Sequence, residues 1–167
     1  MNKSNRTKTI FLISLCSVAL ILLFYVNVAS VQTTQNDYAN YFATYTQGSA
    51  NLTRAFQDEI GHWELGTISN ETMADLTNTY LVNFTKQMND FNQTESPAAF
   101  DSAKDSLVNS FNNEIKSYQY FKDYLLTGNE TLNEISTNFL SESLKDEAMA
   151  FKSFNEVTNM YSAVEGT

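Results

Sequence analysis

The sequence predicts an all-α protein: an N-terminal transmembrane helix followed by an antiparallel up-down-up-down four-helix bundle. Three observations lead there. One proline and five glycines in 167 residues leave little material for hairpin turns and repeated strand breaks. Apolar residues recur three and four apart along most of the chain beyond Tyr38, the period of one helix face. Residues 10–26, IFLISLCSVALILLFYV, carry no charge, and at about 1.5 Å per residue such a run spans a hydrocarbon core. Aromatic residues make up 13% of the chain, which argues for a packed core over disorder.

The N-terminal part divides into a basic tail (1–9) and an apolar anchor (10–29). Lys3, Arg6 and Lys8 precede the anchor, so the positive-inside rule places the N-terminus in the cytoplasm and residues 31–167 outside. The apolar run is longer than the roughly 7–15 residues of a cleaved signal. Val28-Ala29-Ser30 offers a small-residue cleavage site, and cleavage there would instead make a secreted helical protein. The single cysteine, Cys16, lies in this run, so the outer part can build neither a disulfide nor a cysteine metal site. The net charge is -9; beyond residue 30 seven basic residues face nineteen acidic ones, about -12. Such a surface repels nucleic acid and anionic headgroups.

The first outer helix carries Tyr38, Phe42, Tyr45, Leu52, Phe56 and Trp63 on one stripe and is expected to stop at Gly61 and Gly66. Ser69 then has the chemistry of an N-cap, with Glu71 in the first turn and Ile68 placed to staple against Met73. The second stripe is Met73, Leu76, Tyr80, Phe84, Met88 and Phe91, broken by NQTES at 92–96. Ser96 before Pro97 marks a third helix start, and Phe100, Ala103, Leu107, Phe111, Ile115, Tyr118, Phe121 and Leu125 follow until Gly128 offers a left-handed cap. Thr131 and Glu134 have capping-box spacing for a fourth helix, with Leu132, Ile135, Phe139, Ala150, Phe154, Val157 and Tyr161 inward. Leu140, Leu144 and Phe151 form a second, displaced stripe, and Asp146 on the first face is a candidate buried carboxylate. Short connections between long amphipathic helices favour antiparallel neighbours, so the turns at 61–68 and 127–131 share the membrane-distal end.

The stretch DEIGHWELG holds the only histidine and the only tryptophan, and Glu59 and His62 have the Glu-x-x-His spacing of diiron bundles. A diiron centre needs two such pairs and further glutamates, so no metal is expected; His62 suits the negative end of a helix dipole and Trp63 the end of the core. Nucleophile elbows, phosphate-cradling glycine loops and Cys/His pairs do not occur, so neither an enzyme nor a cofactor is expected. In SYQYFKDYLL, Tyr120 and Tyr124 fall one turn apart on the outer side of the third stripe. With Trp63 they make a candidate partner surface near the distal end. Five Asn-x-Ser/Thr sequons begin at Asn51, Asn70, Asn83, Asn92 and Asn129; Asn70, Asn92 and Asn129 lie nearest loops and are the candidate glycosylation acceptors. Gln47, Gly48 and Ser49, in the middle of the first helix, permit either a cavity or a close helix approach.

An N-terminal span followed by four such helices, from Lys3 to about Val164, resembles the extracytoplasmic sensory domain of chemoreceptors and sensor kinases in helix number, order and length. In those receptors the fourth helix feeds a second span and a signalling region, which this sequence is expected to lack. The expected role is a membrane-anchored interaction or accessory subunit at the cell envelope, binding another envelope protein or a second copy. A small-molecule-sensing bundle is the alternative.

Overall fold

The structure is a computed structural model that describes residues 33–165. The basic tail 1–9 and the transmembrane anchor 10–29 expected from the sequence lie outside the described residues. Within them no helix is long and apolar enough to cross a membrane. The described chain is all helical: α1 (Thr33–Glu64), α2 (Asn70–Gln93), a single 3-10 turn (Ala98–Phe100), α3 (Asp101–Thr127) and α4 (Glu130–Glu165), the four helices packed against one another. Contacts fix their directions. On α1, Tyr41 meets Phe91 and Phe56 meets Tyr80, so α2 runs opposite to α1. Tyr38 meets Phe100 and Trp63 meets Phe121, so α3 runs with it. Ser110 faces Ser143 and Ser117 faces Ser136, so α4 descends again.

Local chemistry ends each helix. Helix α1 runs through Gly61, which the sequence reading takes as a stop, because glycine is tolerated inside a helix at a cost of about 1 kcal/mol. It breaks before Gly66, whose φ of 72° suits a residue without a Cβ. The Ser69 hydroxyl accepts from the Thr72 amide and caps α2. Pro97 opens the 3-10 turn ahead of α3, and the Ser96 hydroxyl donates to the Asp101 carboxylate. Gly128, left-handed at φ 68°, closes α3 with its amide on the Tyr124 carbonyl at 2.8 Å. The expected Thr131 cap is displaced by two residues: Asn129 Oδ1 accepts the Thr131 amide at 3.1 Å, so α4 begins at Glu130.

Two apolar clusters stack along the bundle. The one nearer residue 33 is built from Tyr38, Phe42, Phe91, Phe100, Phe111, Phe151 and Phe154, with Leu107 and small residues between them. Phe42 is fully buried and touches four rings, among them Phe154 stacked at 4.6 Å. The distal cluster holds Phe56, Met73, Leu81, Phe84, Tyr118, Phe121 and Leu125. Rings of this size set α1 away from its neighbours, whereas α3 and α4 run closest together. The reason is a small residue every seven along each: Ala103, Ser110 and Ser117 on α3, Ser136, Ser143 and Ala150 on α4, all buried. A seven-residue repeat keeps one seam facing its partner, and small side chains there let the backbones approach.

Candidate functional site

At the distal end, Trp63 in the last turn of α1 lies half-buried. It is set edge-on to Phe121 (5.5 Å, 84°) and Tyr124 (6.4 Å, 90°), and its indole N–H donates to Asn70 Oδ1 at 2.7 Å. The indole thus joins three helices while meeting its one polar demand. Beyond this ring Leu65, in the turn after α1, is 79% exposed, and Leu126, in the last turn of α3, is 60% exposed. Tyr120 and Tyr124 do not form one outward pair. Both are half-buried; Tyr120 stacks on Phe139 of α4 at 5.6 Å and 7°, whereas Tyr124 leans to Trp63 on α1. Lys116 covers the Phe139 ring at 5.3 Å. The structure therefore brings Trp63 and Tyr124 together and places Tyr120 in a separate contact. The apolar exposure of this end resides in two leucines that stripe counting passes over, because each follows the last inward position of its helix.

All five sequon asparagines are exposed. Asn70 uses its side-chain oxygen on Trp63, Asn129 uses its own to cap α4, and Asn92 sits in the last turn of α2. Glu59 is half-buried and His62 exposed. The His62 backbone carbonyl receives the Thr67 amide (3.0 Å) and hydroxyl (2.7 Å) to close the turn. No group of three or more histidine, cysteine, aspartate or glutamate side chains that could hold a metal ion forms among the described residues.

A second polar constellation sits between the two apolar clusters, and the sequence reading does not find it. Glu114 of α3 is 7% exposed. Its Oε1 accepts both the Thr53 hydroxyl of α1 at 2.8 Å and the Tyr118 hydroxyl one turn on at 2.7 Å. Burial pushes the Glu114 carboxyl up, and those two donors oppose the rise in part. Across the seam Glu147 of α4 is pushed up to about 8 by burial and then by the charge of Glu114. Burial, followed by the Glu114 charge, holds the Tyr118 phenol well above its ordinary value. The serine pairs flank this waist, Ser110 to Ser143 at 3.1 Å and Ser117 to Ser136 at 3.2 Å. Asp146, the candidate buried carboxylate of the sequence reading, is half-buried beside it and accepts from the Asn113 amide at 2.8 Å.

Gln47, Gly48 and Ser49 lie where α2 crosses α1. Gln87 of α2 donates to the Tyr45 carbonyl at 3.1 Å, and a Cβ on Gly48 would come within 2.9 Å of that amide nitrogen. That atom is the end of a flexible side chain, which could swing aside at the cost of its bond to Tyr45. Two hollows open on the surface nearby: one of about 300 Å³ beside Tyr45 and Gln87, and one of about 550 Å³ along α2 and α3 beside Val82 and Lys122. Compared with known proteins, the chain matches no family model, no curated protein and no solved structure.

Proposed function

We propose that this chain is a membrane-anchored interaction or accessory subunit of the cell envelope. Residues 10–29 tether it with the N-terminus in the cytoplasm, the acidic bundle projects outward, and the distal end binds another envelope protein or a second copy. The observation that carries the reading is the exposure of Leu65, in the turn after α1, and Leu126, in the last turn of α3, at the end where Trp63 and Tyr124 pack. Apolar side chains held in water beside a rigid aromatic support have the composition of an interface centre. The 32 residues of α1, about 48 Å at 1.5 Å each, would carry that end well clear of a bilayer.

The test compares wild type with the Leu65→Ser, Leu126→Ser double variant. The full-length chain is purified from its own membranes in mild detergent, and its companions are quantified by mass spectrometry. A companion lost from the variant, with helicity by circular dichroism unchanged, supports the reading. A companion retained at wild-type stoichiometry removes the distal end from it. Leucine is the better probe than Tyr120 or Tyr124, whose truncation also removes packing against Phe139 or Trp63.

The second reading, small-molecule sensing between the helices, draws on the Thr53, Glu114 and Tyr118 layer. A ligand there must replace hydrogen bonds these groups already make to one another. It would raise the melting temperature of the wild-type chain and not that of Thr53→Val.

A further inference from the structure

We infer that the waist is a proton-operated joint: Glu114 and Glu147, each one residue beyond the Asn113–Asp146 hydrogen bond that ties α3 to α4, hold a proton that keeps the seam closed, and its loss admits water there. The argument begins with geometry. Glu114 lies between two apolar clusters, bonded to α1 through Thr53 and to its own helix through Tyr118. Both donors converge on Oε1. That atom can accept from both as a carboxylate oxygen or, more weakly, as the carbonyl oxygen of a neutral acid, so a proton on the other oxygen comes and goes without breaking the ties to α1. What changes is charge.

The surroundings offer that charge no cation. From α1 comes Thr53; Arg54 beside it is exposed and points to Asn51 Oδ1 at 3.4 Å. From α2 comes the Phe84 ring, 5.2 Å from the Tyr118 ring. Helix α3 supplies Tyr118, and α4 supplies Glu147, with Asp146 engaged by Asn113. Among the described residues no lysine, arginine or histidine pairs with Glu114 or Glu147; the ion pairs they make are Lys86 to Asp90, Lys145 to Glu142 and Lys152 to Glu156, on the surface. Two neighbouring carboxylates, Glu114 buried and Glu147 half-buried, cannot both ionise cheaply without a cation, so the pair retains a proton into the neutral range. The raised values of both groups agree with this.

The seam is built so that ionisation matters. Serine and alanine bring α3 and α4 close, leaving no slack for two hydrated carboxylates unless the helices part. Opening there exposes both carboxyls and, through Thr53, loosens α1.

The test is hydrogen exchange of the full-length chain between pH 6 and 8, with rates corrected for the intrinsic effect of pH on amide chemistry. The proposal expects protection at residues 110–118 and 136–147 to fall by up to about tenfold per pH unit, while residues 72–80 change little. In Glu147→Gln, which keeps shape and polarity, the waist should show no such slope. Carbon-13 titration of the wild-type glutamate carboxyls supplies a reading independent of any variant: a midpoint near 8 is expected for Glu147 and one above the ordinary glutamate range for Glu114. Corrected rates flat with pH, an unchanged slope in Glu147→Gln, or both midpoints below about 5.5 would each overturn it.

Discussion

Midway along the bundle the chain buries a carboxyl; at the distal end it leaves two leucines in water. Both depart from the rule that sorts apolar side chains inward and charges outward, and they do so in opposite ways. At the waist the departure is answered from within, since Glu114 receives hydroxyls from two helices. At the distal end nothing in the described chain covers Leu65 or Leu126. A self-satisfied polar layer acts on the bundle's own packing; an uncovered apolar one acts on something else. The waist is therefore read as a joint and the distal end as a binding surface.

The comparison can be broken most forcefully at Phe56, the fully buried ring that seals the distal side of the waist by packing edge-on to Tyr118 at 4.4 Å. Phe56→Ala should cost about 3–5 kcal/mol in urea unfolding of the full chain, and should let water reach Glu114. Next comes Glu114→Ala, which strands the Thr53 and Tyr118 hydroxyls and should cost about 1–3 kcal/mol. Glu114→Gln keeps an acceptor for both and should cost less.

The pH dependence sharpens the same contrast. A carboxyl whose folded pKa is raised binds its proton more tightly folded than unfolded, so unfolding releases a proton. Stability from this source is complete below the unfolded value near 4.5 and declines as pH rises to the folded value, about 8 for Glu147. The slope is at most about 1.4 kcal/mol per pH unit for one proton. Melting temperatures of wild type should fall across that window and those of Glu147→Gln should fall much less. At the distal end, effects on stability should be small. Removing the cap with Ser69→Ala should cost about 1 kcal/mol, while Leu65→Ser with Leu126→Ser should stay within about 0.5 kcal/mol for each change. A large loss of stability in the leucine variant would mean that those side chains support the fold, and the contrast would fail.

The fold was largely legible because its signals are local. Stripes three and four apart identified the helices, and Ser69 and Gly128 acted at the ends assigned to them. The fourth helix was harder, since three of its seven buried positions among the described residues are polar: Ser136, Ser143 and Thr158. The displaced stripe at Leu140, Leu144 and Phe151 is one of two faces, the other being the serine seam. A count of small residues seven apart, Ala103, Ser110, Ser117 and Ser136, Ser143, Ala150, would have exposed it.

The waist was missed for a related reason. Glu114 falls three residues after Phe111 and four before Tyr118, squarely on the third stripe, yet a search for apolar residues steps to Ile115. Its partner Thr53 lies 61 residues away, which no local pattern reports. On α4 the candidate buried carboxylate, Asp146, is half-buried, as is its neighbour Glu147, about 100° further round the helix. Tyr120 was read as outward because Phe139, the ring it stacks on, belongs to a helix whose rotation the sequence left open.

The central claim is that the distal end, and not exposed apolar surface in general, meets a partner. Its most direct test is a photo-crosslinking amino acid placed in the full-length chain, in native membranes, at Leu126 or at Val82. These side chains are 60% and 63% exposed, so exposure is matched, and only position differs, the end of α3 against the flank of α2. The account predicts a discrete adduct, to another protein or to a second copy, from position 126 and none from 82. Equal labelling at both positions, or an adduct from 82 alone, would contradict it.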